Sequence, residues 1–143
     1  MQARVAGWTV IELVVALLIV AVLASLAVPG YRNHALRAHR TEAKSALLGL
    51  AAAQERFHLH HDRYASDADL AVAPPDGLGL SAATRDGRYR LAIGAADTRS
   101  FTATAVASGD QSSDVRCATF TIDAFGTRSA TDVAGIAAEG CWE

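Results

Sequence analysis

The hydrophobic pattern divides the chain into three stretches. From Trp8 to Tyr31 apolar residues cover every helical face, and Glu12 is the only ionisable side chain before Tyr31. An apolar run of roughly 20 residues is long enough to enter a hydrocarbon core. From Arg32 to His61 no turn signal intervenes, and the apolar positions narrow to a stripe of Leu36, Ala43, Leu47, Leu50 and Phe57, flanked by Glu42, Lys44, Glu55 and Arg56. Such a stripe buries one face of a helix against a partner and leaves the other in water. The two stretches are predicted to form one long helix with a kink at Pro29, which cannot donate to the Ser25 carbonyl and is followed by the permissive Gly30.

The helical pattern ends between Tyr64 and Thr84, where Pro74, Pro75, Gly77 and Gly79 enforce a loop with room for a short helical turn at 66–72. Beyond it the period changes to two. Tyr89, Leu91 and Ile93 alternate with polar or small residues, Phe101 to Ala107 is short and rich in Thr and Ala, and Ala118, Phe120 and Ile122 alternate with Cys117, Thr119 and Thr121. These segments read as strands with one buried face, and three or four of them make a small antiparallel sheet. The helix stripe and the sheet each need a cover, so packing one on the other gives an α+β fold.

Composition narrows the picture further. A chain of 143 residues with 51% hydrophobic content and a formal charge of −2 fits one small globular domain on a long helix. A balance so near neutral argues against a general nucleic-acid binder while leaving room for a local basic patch. Glu12 matters more. A carboxylate within an apolar span costs about 2.5 to 3.5 kcal/mol on insertion scales, so it calls for a cationic partner.

The residues around Glu12 carry a specific motif: a short leader with Arg4, then Gly7, the aromatic Trp8, and Glu12 five residues after the glycine. This resembles the class III signal of type IV pilins and pseudopilins. The resemblance implies that a prepilin peptidase on the cytoplasmic face cuts after Gly7 and methylates the new amine of Trp8. It also implies that Glu12 pairs with the Trp8 amine of a neighbouring subunit in an apolar filament core. The segment from Gly109 through Cys117 and Phe120 to Gly140, Cys141 and Trp142, together with Gln54 to Phe57 and Tyr64, is similar to the PilE-type minor pilins. In that family a disulfide closes the last strand region. Cys117 and Cys141 are the only cysteines, an even pair on a chain whose amino end looks like an export signal, so one bridge formed in an oxidising periplasm is expected.

The implied organisation is a cleaved leader at 1–7, a transmembrane and filament-core helix at 8–31 and a periplasmic head at 32–143. Within the head, 32–61 is the amphipathic helix, 62–86 a connecting loop and 87–143 the sheet and disulfide region. The implied function is that of a minor pilin, a structural subunit that helps prime pilus assembly and enters the fibre, serving twitching motility and adhesion. Its implied partners are other major and minor pilins, the prepilin peptidase, the inner membrane and the pilus assembly machinery. The protein is expected to cross the inner membrane once before assembly and then to reach the cell surface in the pilus.

Other readings compete locally. An ordinary signal peptide cut after Ala27 and a plain single-span anchor are alternatives for the amino end, and the charge at Glu12 and the nearby Pro29 count against the first. Charge does not set the orientation, because Arg4 precedes the span while Arg32, Arg37 and Arg40 follow it. His58, His60, His61 and Asp62 have a metal-like spacing, yet imidazoles at a helix end are equally expected in water, complementing the helix dipole. Asp110 and Asp114 in a Ser-rich loop resemble the calcium site of secretion pseudopilins, which usually lack a disulfide there. On balance no metal, no cofactor and no catalytic constellation is expected.

Arg85, Arg88, Arg90 and Arg99 are the residues suited to DNA. Arg88 and Arg90 alternate with the buried set and are expected to face solvent, where they could contact phosphates, partly offset by Asp86 and Asp97. A DNA-binding competence pilin and a type II secretion pseudopilin therefore stand as alternatives, with the disulfide and the Cys-Trp pair favouring the pilus.

Overall fold

The computed structural model describes residues 9–143, without the side chains of residues 26–30. The leader and the expected processing site at Gly7 and Trp8 lie outside the described residues, as does the Pro29 side chain. Helix α1 spans Val10–His61 without interruption. Thr9 precedes it, and its hydroxyl accepts the Glu12 backbone N–H at 3.3 Å. That bond satisfies one of the donors a helix start leaves open, and Thr-x-x-Glu is a sequence signature for such a start. At the other end Asp62 donates its N–H to the His58 carbonyl at 3.0 Å. Its φ of +52° turns the chain out of the helix, a left-handed stop that Asp tolerates better than most residues.

The chain divides into two compact units, Met1–Ala35 and Leu36–Glu143. In the first, the large apolar side chains of α1 stand in the open, from Val10 at 81% exposure to Leu23 at 61%. Among the described residues no helix is long and apolar enough to cross a membrane. The apolar run of the sequence continues into residues 26–30, whose side chains are not described.

The second unit is an α+β head. Four strands, β1 (Tyr89–Ala96), β2 (Phe101–Ala107), β3 (Thr119–Asp123) and β4 (Arg128–Thr131), form one antiparallel sheet in the order β1-β2-β3-β4. Each strand pairs with the next in sequence, so short connections suffice. Alternation sends Tyr89, Leu91, Ile93, Phe101, Ala103, Ala105, Phe120, Ile122 and Ala130 inward. From α1 the same core takes Ala43, Leu47, Leu50, Ala53 and Phe57. Four of the five stripe residues are thus fully buried, and Leu36 is half-buried. The central strand offers only Ala103 and Ala105 between bulkier neighbours, and such alternation of large and small lets layers interdigitate.

The loop after α1 is pinned by one side chain. Gln54 is buried, its Nε2 donating to the Ala65 carbonyl at 2.8 Å and its Oε1 accepting the Ala65 N–H at 2.7 Å. Both backbone groups would otherwise be buried without partners, which costs about 1 to 3 kcal/mol each. The helical turn expected at 66–72 is a single 3-10 turn at Asp67–Asp69. Asp69 accepts from the Ser66 N–H and from Arg63, and those bonds hold the segment.

Candidate functional site

Two surfaces carry what the sequence singled out. On the first, Glu12 is exposed in the first turn of α1 among exposed Val, Ile and Leu side chains. A carboxylate there is favoured by the positive end of the helix dipole. In an apolar environment it would nevertheless need a counter-charge, and the nearest described basic residue along the helix is Arg32.

The second surface is the head. The Ser-rich loop before β3 forms a 3-10 turn at Gly109–Ser113, and it is tied to α1 by a buried polar network. Arg40 grips Asp114 with both forks, Nε to Oδ2 at 2.7 Å and Nη2 to Oδ1 at 2.9 Å. Gln111 donates to the Leu36 carbonyl at 3.1 Å and lies 3.3 Å from His39 Nδ1. Asp114 also accepts the Cys117 N–H at 3.4 Å. A bidentate guanidinium–carboxylate pair is among the stronger hydrogen-bonded contacts. The loop read as a potential calcium site therefore commits Asp114 to Arg40, while Asp110 stays exposed. Among the described residues no group of three or more His, Cys, Asp or Glu could hold a metal ion. Tyr89 lies beside this network with its hydroxyl buried and unpartnered. Burial first, and then the Asp114 charge, push that hydroxyl up to about 12.

Cys117 and Cys141 are bridged, with their Cα atoms 5.8 Å apart and 24 residues between them in sequence. Closing a loop of that size stabilises a fold by about 3 kcal/mol in the chain-entropy view. Trp142, next to the bridge, packs edge-on against Phe120 and donates its indole N–H to the Ser129 carbonyl at 2.8 Å. The helix-end histidines do not converge. His58 stacks on Tyr64, His61 stacks on Phe57 and donates to the Pro75 carbonyl at 2.9 Å, and His60 is exposed.

The four arginines divide as well. Arg88 does not face open solvent as the alternation suggested. It is half-buried, binding Glu42 of α1 at 3.0 Å and also Asp86. The reason is its place just before β1, where the chain turns back toward α1 and a long side chain can reach Glu42. Arg85, Arg90 and Arg99 are exposed, and none forms an ion pair among the described residues. Arg90 and Arg99 flank opposite ends of β1, on the order of 20 Å apart at the rise of a strand.

A family model described as "Type IV minor pilin ComP, DNA uptake sequence receptor" matches residues 29–121. The chain belongs to this type IV pilin family. The match takes in the second half of α1 and the first three strands, the parts that build most of the pilin core. Among its pilin relatives is the type IV major pilin protein PilA of Myxococcus xanthus (strain DK1622), 35% identical over 91 residues, which are 60% of this chain and 41% of that protein. Another is the type IV major pilin protein PilE1 of Neisseria gonorrhoeae, 33% identical over 69 residues, 48% of this chain and 32% of that one. The chain spans less than half the length of the curated relatives it matches. Its long helix, four-stranded antiparallel sheet and terminal disulfide form a pilin fold.

Proposed function

We propose that this pilin is a minor subunit of a type IV pilus, helping to prime assembly and entering the fibre through the apolar half of α1. One observation supports this above the others: a single helix carries an exposed apolar sleeve with one carboxylate at its start and a fully built head on its second half. On this reading the leader is cut after Gly7, the Trp8 amine is methylated, and Glu12 meets that amine on a neighbouring subunit. The protein waits in the inner membrane with its head in the periplasm, where the disulfide forms, and it works as a structural part without catalysis. Deleting the gene should reduce surface pili and twitching motility, and the chain should be present in sheared pili with a mature amino terminus at Trp8. Normal piliation in the deletion strain, or a mature terminus at Val28, would sink the reading.

A second reading is DNA capture, favoured by the description of the matched family and by exposed Arg85, Arg90 and Arg99. Phosphate neutralisation supplies most sequence-independent affinity, so each lost contact lowers the salt dependence of binding. A variant with these three arginines changed to Gln decides between the readings. Normal pili and normal DNA uptake leave assembly as the function, whereas normal pili with uptake lost make the chain a DNA receptor.

A further inference from the structure

Between the end of α1 and the loop after it lies a cleft of about 300 Å³, with Ala53, Phe57, Pro74 and Leu78 as its apolar wall and Arg56 and His60 as its ionisable residues. No acidic side chain lines it. The cleft is preformed. Leu78 and Gly79 donate their N–H groups to the Asp69 and Val72 carbonyls at 3.0 and 2.7 Å, and His61 holds the Pro75 carbonyl. A Cβ at Gly77 would collide with the Asp69 and Val72 carbonyl oxygens, so the loop closes this tightly only with glycine there.

Elsewhere on the head, the turn joining β3 to β4 carries Phe125, 83% exposed. That turn is braced as well. Asp123 Oδ1 accepts the N–H groups of Phe125 and Thr127, both at 2.9 Å, and Gly126, at a φ of +76°, donates to the Asp123 carbonyl at 3.0 Å. An aromatic ring held out on a rigid turn loses little freedom when it is buried, and burying it removes about 150 to 250 Å² from water.

We propose that the Phe125 turn of one copy seats in the Ala53–Phe57–Leu78 cleft of a second copy. The sizes agree, since a dry cavity of about 150 Å³ already holds a benzene ring and this cleft is larger. The charges agree too. Arg56 can lie over the inserted ring, and the Asp123 carboxylate at the base of the knob meets the cationic rim formed by Arg56 and His60. Knob and cleft are different patches of one head, so the contact is heterologous and generates an open series of subunits rather than a closed dimer. A single ring in a cleft is far below the area of a stable interface. The contact therefore rests on the pilus reading, in which the apolar helices hold neighbouring heads at high effective concentration.

Two full-length forms expressed in one piliated strain test this, one with Thr127→Cys beside the knob and one, tagged, with Asp76→Cys at the cleft edge. A short bismaleimide applied to intact pili should give a mixed dimer of twice the chain mass, at least tenfold above either form alone. Adding Phe125→Ser to the first form should remove that product, and Arg56→Glu in the second should cut it severalfold. A dimer that survives Phe125→Ser overturns the proposal. So does an equal yield from a control cysteine at Thr121, on the outer sheet face, or a product formed only with a different pilin. If both forms reach sheared pili and no mixed dimer appears, the contact is absent while the pilus reading stands. If neither form reaches pili, the pilus reading fails and takes the contact with it.

Discussion

The two halves of α1 share one backbone geometry and opposite surroundings. The first half exposes Val, Ile and Leu on every side and carries a single charge at Glu12. The second half hides Ala43, Leu47, Leu50 and Phe57, and it spends its polar residues on fixed partners: Arg40 on Asp114, Glu42 on Arg88 and Gln54 on Ala65. A helix with no internal partner for its apolar surface must find one outside the chain, whereas a helix that has covered its stripe is finished. One half is therefore an attachment device and the other a structural beam. The lesson is that the placement of charges, more than helicity, separates the roles.

The contrast breaks most sharply at Glu12. Glu12→Val should leave head folding and membrane association intact while lowering the amount of the chain in sheared pili by at least tenfold, and Glu12→Asp should recover part of it. Quantitative immunoblots of sheared and cell-bound fractions read this out, and wild-type incorporation of the Val variant would show that the charge has no assembly role.

In the second half the corresponding test is Asp114→Ala, which leaves the Arg40 guanidinium mostly buried without its partner. Breaking such a pair from one side costs about 3 to 5 kcal/mol. A domain of this size should then melt about 10 °C or more lower. The same substitution should not change processing at the amino end, which belongs to the other half.

A smaller effect follows from Asp69. Its bonds from Arg63, and then from Ser66, hold its carboxyl down at about 2 from an ordinary 3.8. A carboxyl depressed in the folded state contributes stability that is fully present above about pH 4 and is lost as the pH falls toward 2. Denaturation midpoints followed from pH 5 to pH 2 should decline, and Asp69→Asn should flatten that part of the curve.

The smallest effect is expected at Tyr89. Its hydroxyl is buried and unpartnered, so Tyr89→Phe removes an unpaid desolvation penalty and should leave stability unchanged or raise it by about 1 kcal/mol. A loss larger than that would mean that the hydroxyl is bonded in solution, through Gln111 or through water.

Much of this protein follows from local pattern. An unbroken helix can be read from Trp8 to His61 because nothing between them ends one and the apolar spacing is helical throughout. The strands at Tyr89, Phe101 and Phe120 announce themselves by alternation, and β4 does not, because Arg128–Thr131 is short and has only Ala130 facing inward. The start of α1 was legible too, in the spacing of Thr9 and Glu12, although that signal is easily lost beside the charge itself. Cys117 and Cys141 could pair only with each other within the chain.

What only the tertiary structure decided is which polar residues are free. Arg88 and Arg90 are equivalent by alternation, yet one reaches Glu42 across 46 residues of sequence and the other meets solvent. Asp114 looks like its neighbour Asp110, yet only Asp114 faces Arg40. Gln54 sits in a charged stretch of helix and turns out to be the hinge pin of the loop that follows. Hydrophobic periodicity is a property of neighbours along the chain, so it survives in the sequence. The pairing of a charge depends on partners brought together by folding, many residues apart, and no local spacing records it.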